Sequence, residues 1–515
     1  MADTKREIER KYASEDGRLP DLAGVAGVAA VLDQGLVHLD ATYYDTADTR
    51  LAAASVTLRR RTGGSDAGWH LKLPVAPDVR DEIRAPLSDT VPGDLAGLVR
   101  SRVRGADLLP VVRLRSDRDV RHLVDADGRL LAEVSLDTVR ADRLTGDGGT
   151  ARWTEIEVEL ADDADPAFLD TVEQRLRAAG ARPSASPSKL ARALAETAPG
   201  HRRTGSGPGT RTDDGRPAPQ ARPGGPVTAG DHVLAYVRAQ RDAIVELDPA
   251  VRRDLHDAVH GMRVATRRLR SALRSYAAVL DRAATDPVGG ELKWLAGELG
   301  AVRDQEVLTD RLTAALDTLP GTVSTGPVRA RLRGWSAERT EGSRGRLIAV
   351  LDGGRYLALL DALDALTGAP PLRKAASGRP EKVLAKAVRK EVRRLAARVE
   401  RALALPPGQD RDLALHEARK QAKRARYAAE AAAPALGERA AALVAPAKSL
   451  QSLLGDHQDS VMAREALREL AGRAHAAGES AFAYGVLHER EEQRAREAEA
   501  RLPRAWRAVE ERAAL

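Results

Sequence analysis

Glu155, Glu157 and Glu159 of RWTEIEVELA stand at alternate positions, as do Glu7, Glu9 and Lys11 of REIERKY near the N-terminus. On a strand, residues two apart share a face, so each set projects together at intervals of about 7 Å. Carboxylates arranged this way repel one another inside a fold unless cations neutralise them. Hard oxygen ligands without His or Cys point to Mg²⁺ or Mn²⁺ rather than zinc. Basic residues follow the same period: Arg59 and Arg61, His70 and Lys72, Arg113 and Arg115, with Arg118 slightly beyond. If these faces converge they line a tunnel of metal-binding acids and anion-binding bases, which suits a polyanion held with metal.

A second pattern has helical spacing. His260, Arg263, Arg267, Arg270 and Arg274 fall 3, 4, 3 and 4 residues apart, and His416, Arg419, Lys423 and Arg426 take the same first three intervals. Each set forms one helix face. Met262, Ala265, Leu269, Ala272 and Tyr276 make a neighbouring apolar stripe that can pack inward. Stacked cations repel by a few tenths of a kcal/mol per pair, so their recurrence predicts a polyanionic ligand, with the His serving phosphate rather than metal.

The elements that must position these groups divide the chain. From Lys5 to about Leu160, short alternating segments separated by turn signals such as GGSDAG and DADG predict about eight strands of an antiparallel sheet or barrel. Helices are expected at about 21–34, 92–103 and 165–180. Residues 198–230 have almost no large apolar side chain and many Pro and Gly, which predicts a flexible linker. From 231 to about 510, Ala, Leu, Arg and Glu recur at helical spacing. This half repeats itself: HGMRVATRRLR at 260–270 matches HEARKQAKRARY at 416–427, and KWLAGELGAVRD at 293–304 matches KSLQSLLGDHQD at 448–459, at offsets of 156 and 155 residues. Two related helical bundles are expected.

Cysteine is absent, which removes disulfides, thiolate metal sites and cysteine nucleophiles and suits a reducing compartment. No stretch approaches the roughly 20 apolar residues needed to span a bilayer, and the first residues lack the apolar run of a secretory signal. The expectation is a cytoplasmic protein without membrane contact. The net charge of +7 favours an anionic partner, and an aromatic content of 3% is low for stacking nucleic-acid bases, so phosphate is expected and nucleic acid is not.

The ExExK pattern at Glu7, Glu9 and Lys11 resembles the CYTH family, the triphosphate tunnel metalloenzymes. YYDT at 43–46, LRRR at 58–61, LKL at 71–73, Arg118, EVSLD at 133–137, EIEVEL at 155–160 and SKL at 188–190 follow in the family's order, so the resemblance covers about 3–197. It implies an eight-stranded antiparallel tunnel in which Lys11, Arg59, Arg61, Lys72, Arg118 and Lys189 bind phosphates. It further implies that Glu7, Glu9, Glu157 and Glu159 hold divalent metal, with Asp137, Glu133 and Glu155 as further contributors. The implied chemistry is metal-assisted hydrolysis of a triphosphate, with Glu7, Glu9, Lys11, Glu157 and Glu159 as the catalytic set. Family members include inorganic triphosphatases, thiamine triphosphatases and one class of adenylate cyclases. Trp69 and Trp153 keep an organic substrate in view, but inorganic triphosphate or short polyphosphate is preferred.

The duplicated helical motifs look like the CHAD family over about 231–510. That resemblance implies an α+β multidomain chain whose second half is a pair of four-helix bundles related by pseudo-two-fold symmetry. A basic cavity there would bind inorganic polyphosphate through His260, Arg263, Arg267, Arg270, His416, Arg419, Lys423 and Arg426, with Lys293 and Lys448 as additions. Gln458 and His457 depart from the first repeat's Arg303 and Val302. Such a half would be non-catalytic and would recruit the tunnel to polyphosphate, including polyphosphate granules. The alternative is a non-catalytic polyphosphate-binding or sensing protein.

Overall fold

A computed structural model describes residues 3–14, 17–146, 148–198, 227–323 and 326–512, with the side chains of residues 302 and 303 left aside. The chain divides into two compact units, Met1–Arg216 and Pro217–Leu515. Most of the segment read as a linker, 199–226, lies outside the described residues.

The first unit is built on strands β1 (Asp3–Ala13), β2 (Ala30–Asp45), β3 (Thr57–Thr62), β4 (Gly68–Ala76), β5 (Val79–Ala85), β6 (Leu109–Val124), β7 (Leu130–Arg143), β8 (Thr150–Leu160) and the short β9 (Arg182–Pro183). They pair antiparallel in the order β5-β4-β3-β2-β6-β7-β8-β1, and a β1–β5 pairing closes the sheet into an eight-stranded barrel with β9 appended to β1. Four helices dress it: α1 (Arg50–Ala53), α2 (Gly93–Val103), α3 (Ala167–Ala178) and α4 (Lys189–Glu196).

The barrel keeps much of its apolar surface outside, beneath helices. Leu58, Trp69, Leu71 and Ile83 pack with Leu95 and Val99 of α2, while Val134, Ile156 and Val158 pack with Phe168, Leu169 and Val172 of α3. The alternate positions of those strands therefore face inward and are free to be charged. α4 packs Leu190 and Ala193 against Leu114, Val139, Ala141 and Trp153. Ser188 caps it, accepting from Ala191 N at 3.1 Å, which sets Lys189 at the first helical position.

The helix expected at 21–34 does not form. Residues 23–27 are turns with positive φ at Gly24, Ala26 and Gly27, and strand β2 begins at Ala30. A register shift between Asp33 and Gly35, where Gly35 has φ +85°, breaks the alternation that would have marked the strand.

The second unit is all helix: α5 (Ala229–Arg252), α6 (Ala258–Ser275), α7 (Arg282–Asp317), α8 (Val328–Thr340), α9 (Ser343–Asp352), α10 (Gly354–Gly368), a short 3₁₀ turn, α11 (Pro380–Ala404), α12 (Gln409–Leu436), α13 (Glu438–Ala476) and α14 (Phe482–Glu510). Helices α5–α7 and α11–α13 are the two copies of the repeat. Their cores do not segregate by copy. One core takes Met262 and Leu269 of α6, Leu295 and Leu299 of α7, Ala418 and Ala425 of α12 and Leu450 of α13; a second takes Leu312 and Leu316 of α7, Leu467 and Leu470 of α13, Trp335 and Tyr484. At 36 and 39 residues, α7 and α13 run through both. The Ala-rich face of α12 packs against α6, and Tyr276 Oη donates to Ala428 O at 2.6 Å across the repeats. Among the described residues no helix is long and apolar enough to cross a membrane.

Candidate functional site

The barrel interior holds a cavity of about 370 Å³. Its lining includes Glu7, Glu9 and Lys11 from β1, Arg59 and Arg61 from β3, Lys72 from β4, Arg118 from β6, Glu133 from β7, Glu157 and Glu159 from β8, and Lys189 from α4. Nine bases face seven acids.

Strand register explains why the acids cluster. Glu9 lies opposite Glu159 across β1–β8, and Glu159 lies opposite Glu133 across β7–β8, so three carboxylates form a row over three neighbouring strands. Like charges directly opposite destabilise a sheet. Lys5 pairs with Glu159, Lys11 reaches Glu9 at 3.0 Å and Arg80 reaches it at 3.8 Å, while Lys72 pairs with the adjacent Glu7. Burial, against the counter-pull of Lys72 and with Glu82 and Glu159 adding, raises the Glu7 carboxyl to about 7. Burial also acts to raise Glu9, but Lys11 and Lys72 outweigh it and hold this carboxyl at about 2.

A second acidic group sits deeper. Asp137 and Glu155 are opposed across β7–β8 and are buried, with Glu157 one step along the same face. Atoms of these three carboxylates lie within 4.8 Å of one another and could hold a metal ion. In this structure Lys189 Nζ fills the position, 2.8 Å from Asp137, 2.7 Å from Glu155 and 2.6 Å from Glu157. Arg118 donates to both Asp137 oxygens at 2.8 and 2.7 Å and to Glu157 at 2.6 Å. Glu157 also pairs with Lys11.

The remaining basic positions separate by strand parity. Arg59 lies 3.6 Å from Glu82 and donates to Tyr43 Oη at 3.3 Å, and Arg61 pairs with Asp66. Burial, reinforced by Arg59 and Arg118 against the pull of Glu82, lowers Arg61 to about 9. Arg113 and Arg115, expected to converge with these, do not. They face outward and pair with Asp40 and Asp142, because Arg118 is in phase with the inward Leu114, Ser116 and Val120. His70 is buried between Glu82 Oε1 and the Asp66 carbonyl, each 2.9 Å away, behind the cavity wall. Trp69 lies in the core under α2, and Trp153 donates to Glu155 Oε2 at 2.6 Å; neither lines the cavity, where Tyr43 is the aromatic side chain.

Sequence reasoning passed over Arg80, Glu82 and Arg84 on β5, and Lys5 on β1, all of which line the cavity. The signal was present: VRDEIRA carries Arg80, Glu82 and Arg84 at the same period of two.

In the helical unit a cavity of about 510 Å³ gathers His260, Arg263, Arg267, Arg270 and Arg274 of α6 with His416, Arg419 and Lys423 of α12. Among the described residues, nine Lys or Arg side chains line it against two Asp. Each Asp serves one repeat: Arg263 donates to Asp304 at 2.7 and 3.1 Å, and Arg419 lies 3.9 Å from Asp459. The glycines of the two LG motifs are explained here. A Cβ on Gly300 would meet the Arg263 guanidinium at 3.2 Å, and one on Gly455 would meet Arg419 at 3.4 Å. Each arginine thus lies flat on a bare stretch of helix.

Burial lowers Lys423 to about 7, with Arg419, Arg267 and Arg263 adding to the effect. Burial also lowers Arg267, Arg270 and His416. Crowded, half-desolvated cations with so little counter-charge form a site for an anion.

Arg426 is not brought into this cavity. It is buried against Glu430 at 3.1 Å and stacks over the Tyr427 ring at 4.9 Å, although its counterpart Arg270 does line the cavity. Lys293 and Lys448 are exposed and lie elsewhere. Lys420, Arg424 and Arg311 line it without having been anticipated. His457, the departure in the second repeat, is buried outside the cavity between Asp412 at 3.3 Å and Glu499 at 3.2 Å. The side chains of Val302 and Arg303 lie outside those described.

Residues 5–194 match the CYTH domain model and residues 235–468 match the CHAD domain model. The uncharacterized protein MT2285 of Mycobacterium tuberculosis (strain CDC 1551 / Oshkosh) is 40% identical over 502 residues, spanning 94% of this chain and 92% of its own. Among solved structures, PptA from Streptomyces chartreusis aligns at TM-score 0.46 and 22% identity, covering 54% of this chain and 99% of its own. The CHAD domain from the plant Ricinus communis aligns at TM-score 0.42 and 26% identity, covering 55% and 92%. The chain therefore joins a CYTH domain to a CHAD domain and belongs to one family with its mycobacterial relative.

Proposed function

We propose that the barrel is a metal-dependent triphosphatase acting on inorganic triphosphate or short polyphosphate, and that the helical unit binds inorganic polyphosphate. The carrying observation is the row Glu9–Glu159–Glu133 with Glu7 beside it, facing Arg59, Arg61, Lys72 and Arg118 within one small cavity. Carboxylates alone would suit a metal store and bases alone an anion binder. Together they suit a metal-loaded chain of phosphates.

Glu7, Glu9, Glu157 and Glu159 are the ligands assigned to Mg²⁺ or Mn²⁺, Glu157 sharing Lys189 with Asp137 and Glu155. When bound, the metal supplies Lewis-acid polarisation and neutralises charge on the phosphoanhydride. Arg59, Arg61, Lys72 and Arg118 grip the non-bridging oxygens and hold the chain in line, and Lys11 and Lys189 keep Glu157 ionised between them. A carboxylate of the row orients water for attack on the terminal phosphorus, and orthophosphate and the shortened chain leave. No protein nucleophile takes part. The scarcity of aromatic side chains in the lining favours an inorganic substrate over thiamine triphosphate or ATP.

Parallel incubation of the full chain with inorganic triphosphate, thiamine triphosphate and ATP in Mg²⁺ or Mn²⁺ tests this. Orthophosphate released fastest from inorganic triphosphate supports the reading. A cyclic nucleotide from ATP, or no turnover of any of the three, contradicts it.

A further inference from the structure

Beside the helical cavity lies a second concavity, of about 840 Å³, between the start of α7 and the exposed face of α11. Among the described residues, eight Lys or Arg side chains line it against two acids, and both acids are already engaged: Asp286 with Arg282 at 2.7 Å and Glu391 with Arg394 at 2.8 Å. Lys390, Arg398 and Arg401 of α11 line the groove and are exposed. No described carboxylate lies within 4.0 Å of any of the three. No aromatic side chain is among the described lining residues.

The two concavities share part of their lining. Arg274 and Arg424 belong to both, so basic side chains continue from the cavity between α6 and α12 to the groove on α11. The charge of α11 is not a requirement of the fold. Helix α11 carries eight bases and three acids, whereas α5, which opens the first repeat, carries three bases and four acids. Two helices in equivalent places serve the same core with opposite charge balance, and only the second adjoins this groove.

We propose that the groove is a second polyphosphate subsite, taking the part of a long chain that emerges from the cavity past Arg274 and Arg424; this rests on the helical unit being a polyphosphate binder. It gives the protein a preference for long chains and a fixed exit, on the second repeat's side. The chemistry recognised is a flexible line of phosphates. A nucleic-acid strand would add bases with no stacking surface to meet them in the groove.

The test is a full-length triple variant, Lys390→Gln, Arg398→Gln and Arg401→Gln, compared with the wild type and with the cavity variant Lys423→Gln. All three substitutions lie on an exposed helix face, so unchanged far-UV circular dichroism is expected. The barrel is identical in every protein and drops out of the comparison. Affinities for long-chain and for short-chain inorganic polyphosphate are measured across a salt series. The triple variant should lose about 10- to 30-fold on long chains at physiological salt, with a salt slope smaller by about two, and should keep wild-type affinity for short chains. Lys423→Gln should weaken both lengths. Unchanged long-chain affinity in the triple variant, with Lys423→Gln still impaired, overturns this inference alone. An equal loss on both lengths overturns it too. If the wild type binds neither length, the underlying reading falls and this inference with it. If the triple variant loses a single-stranded oligonucleotide while keeping polyphosphate, the groove serves nucleic acid and the proposal is wrong.

Discussion

At the scale of single residues, the two cavities solve opposite problems. In the barrel, buried acids and bases neutralise one another, and Lys189 is the cation common to three carboxylates. Replacing it by Met leaves those carboxylates with less counter-charge in a buried site, which typically costs about 3–5 kcal/mol. Lys189→Met is expected to lose that much protection in native-state amide exchange of β7 and β8, and Lys189→Arg much less. Equal, wild-type protection in both variants would show the ion cluster to be dispensable. In the helical cavity the described cations outnumber their acidic partners, and Lys423, at about 7, titrates near neutrality. A bound polyanion raises that value, so the free protein is already charged below pH 7 and must take up a proton above it. Polyphosphate affinity should therefore fall as pH rises through 7. Calorimetry at pH 8 in buffers of different ionisation enthalpy should show uptake approaching one proton per site, abolished in Lys423→Arg.

At the scale of elements, α6 and α12 present the bases and α7 and α13 provide the surface on which Arg263 and Arg419 lie. Gly300→Ala separates these roles. Alanine should favour the α7 interior by about 1 kcal/mol over glycine. Its Cβ, however, displaces the Arg263 guanidinium, so polyphosphate affinity should fall several-fold while thermal stability rises. A variant that binds like the wild type would mean the flat placement of Arg263 is incidental.

This scale also shows what was legible in the sequence. Period two in REIERKY, TLRRRT and EIEVEL placed Glu7, Glu9, Lys11, Arg59, Arg61, Glu157 and Glu159 in one cavity, because a strand's pleat leaves no other option once its alternate face is apolar. The same rule misassigned Arg113 and Arg115, since period alone does not say which phase is inward; the apolar Leu114 and Val120, in phase with Arg118, decide it. The start of β2 was read as helix because the shift at Asp33–Gly35 interrupts its alternation. Arg426 fits the helical stripe of α12 yet turns to Glu430, a choice set by a local i, i+4 partner that a stripe of bases does not reveal. The duplicated blocks contain both members of each Arg–Asp contact, Arg263 with Asp304 and Arg419 with Asp459, but helical spacing did not pair them. Nor did the blocks foretell that the two copies share their cores.

For the whole molecule, one chain joins a barrel proposed to hold phosphates with metal to a helical unit proposed to hold phosphates alone. On the proposed function, tethering of this kind would raise the local concentration of chain ends at the barrel without any new contact there. The central claim is that the barrel hydrolyses triphosphate through metal held on its acidic row. Its most direct test is orthophosphate release from inorganic triphosphate by the wild type in Mg²⁺ or Mn²⁺, by the wild type in EDTA, and by Glu159→Gln with the metal restored. The account predicts turnover only in the first, with the variant reduced at least a hundredfold, as for loss of a group stabilising the transition state. Wild-type rates in EDTA or in Glu159→Gln, or no turnover with either metal, would contradict it.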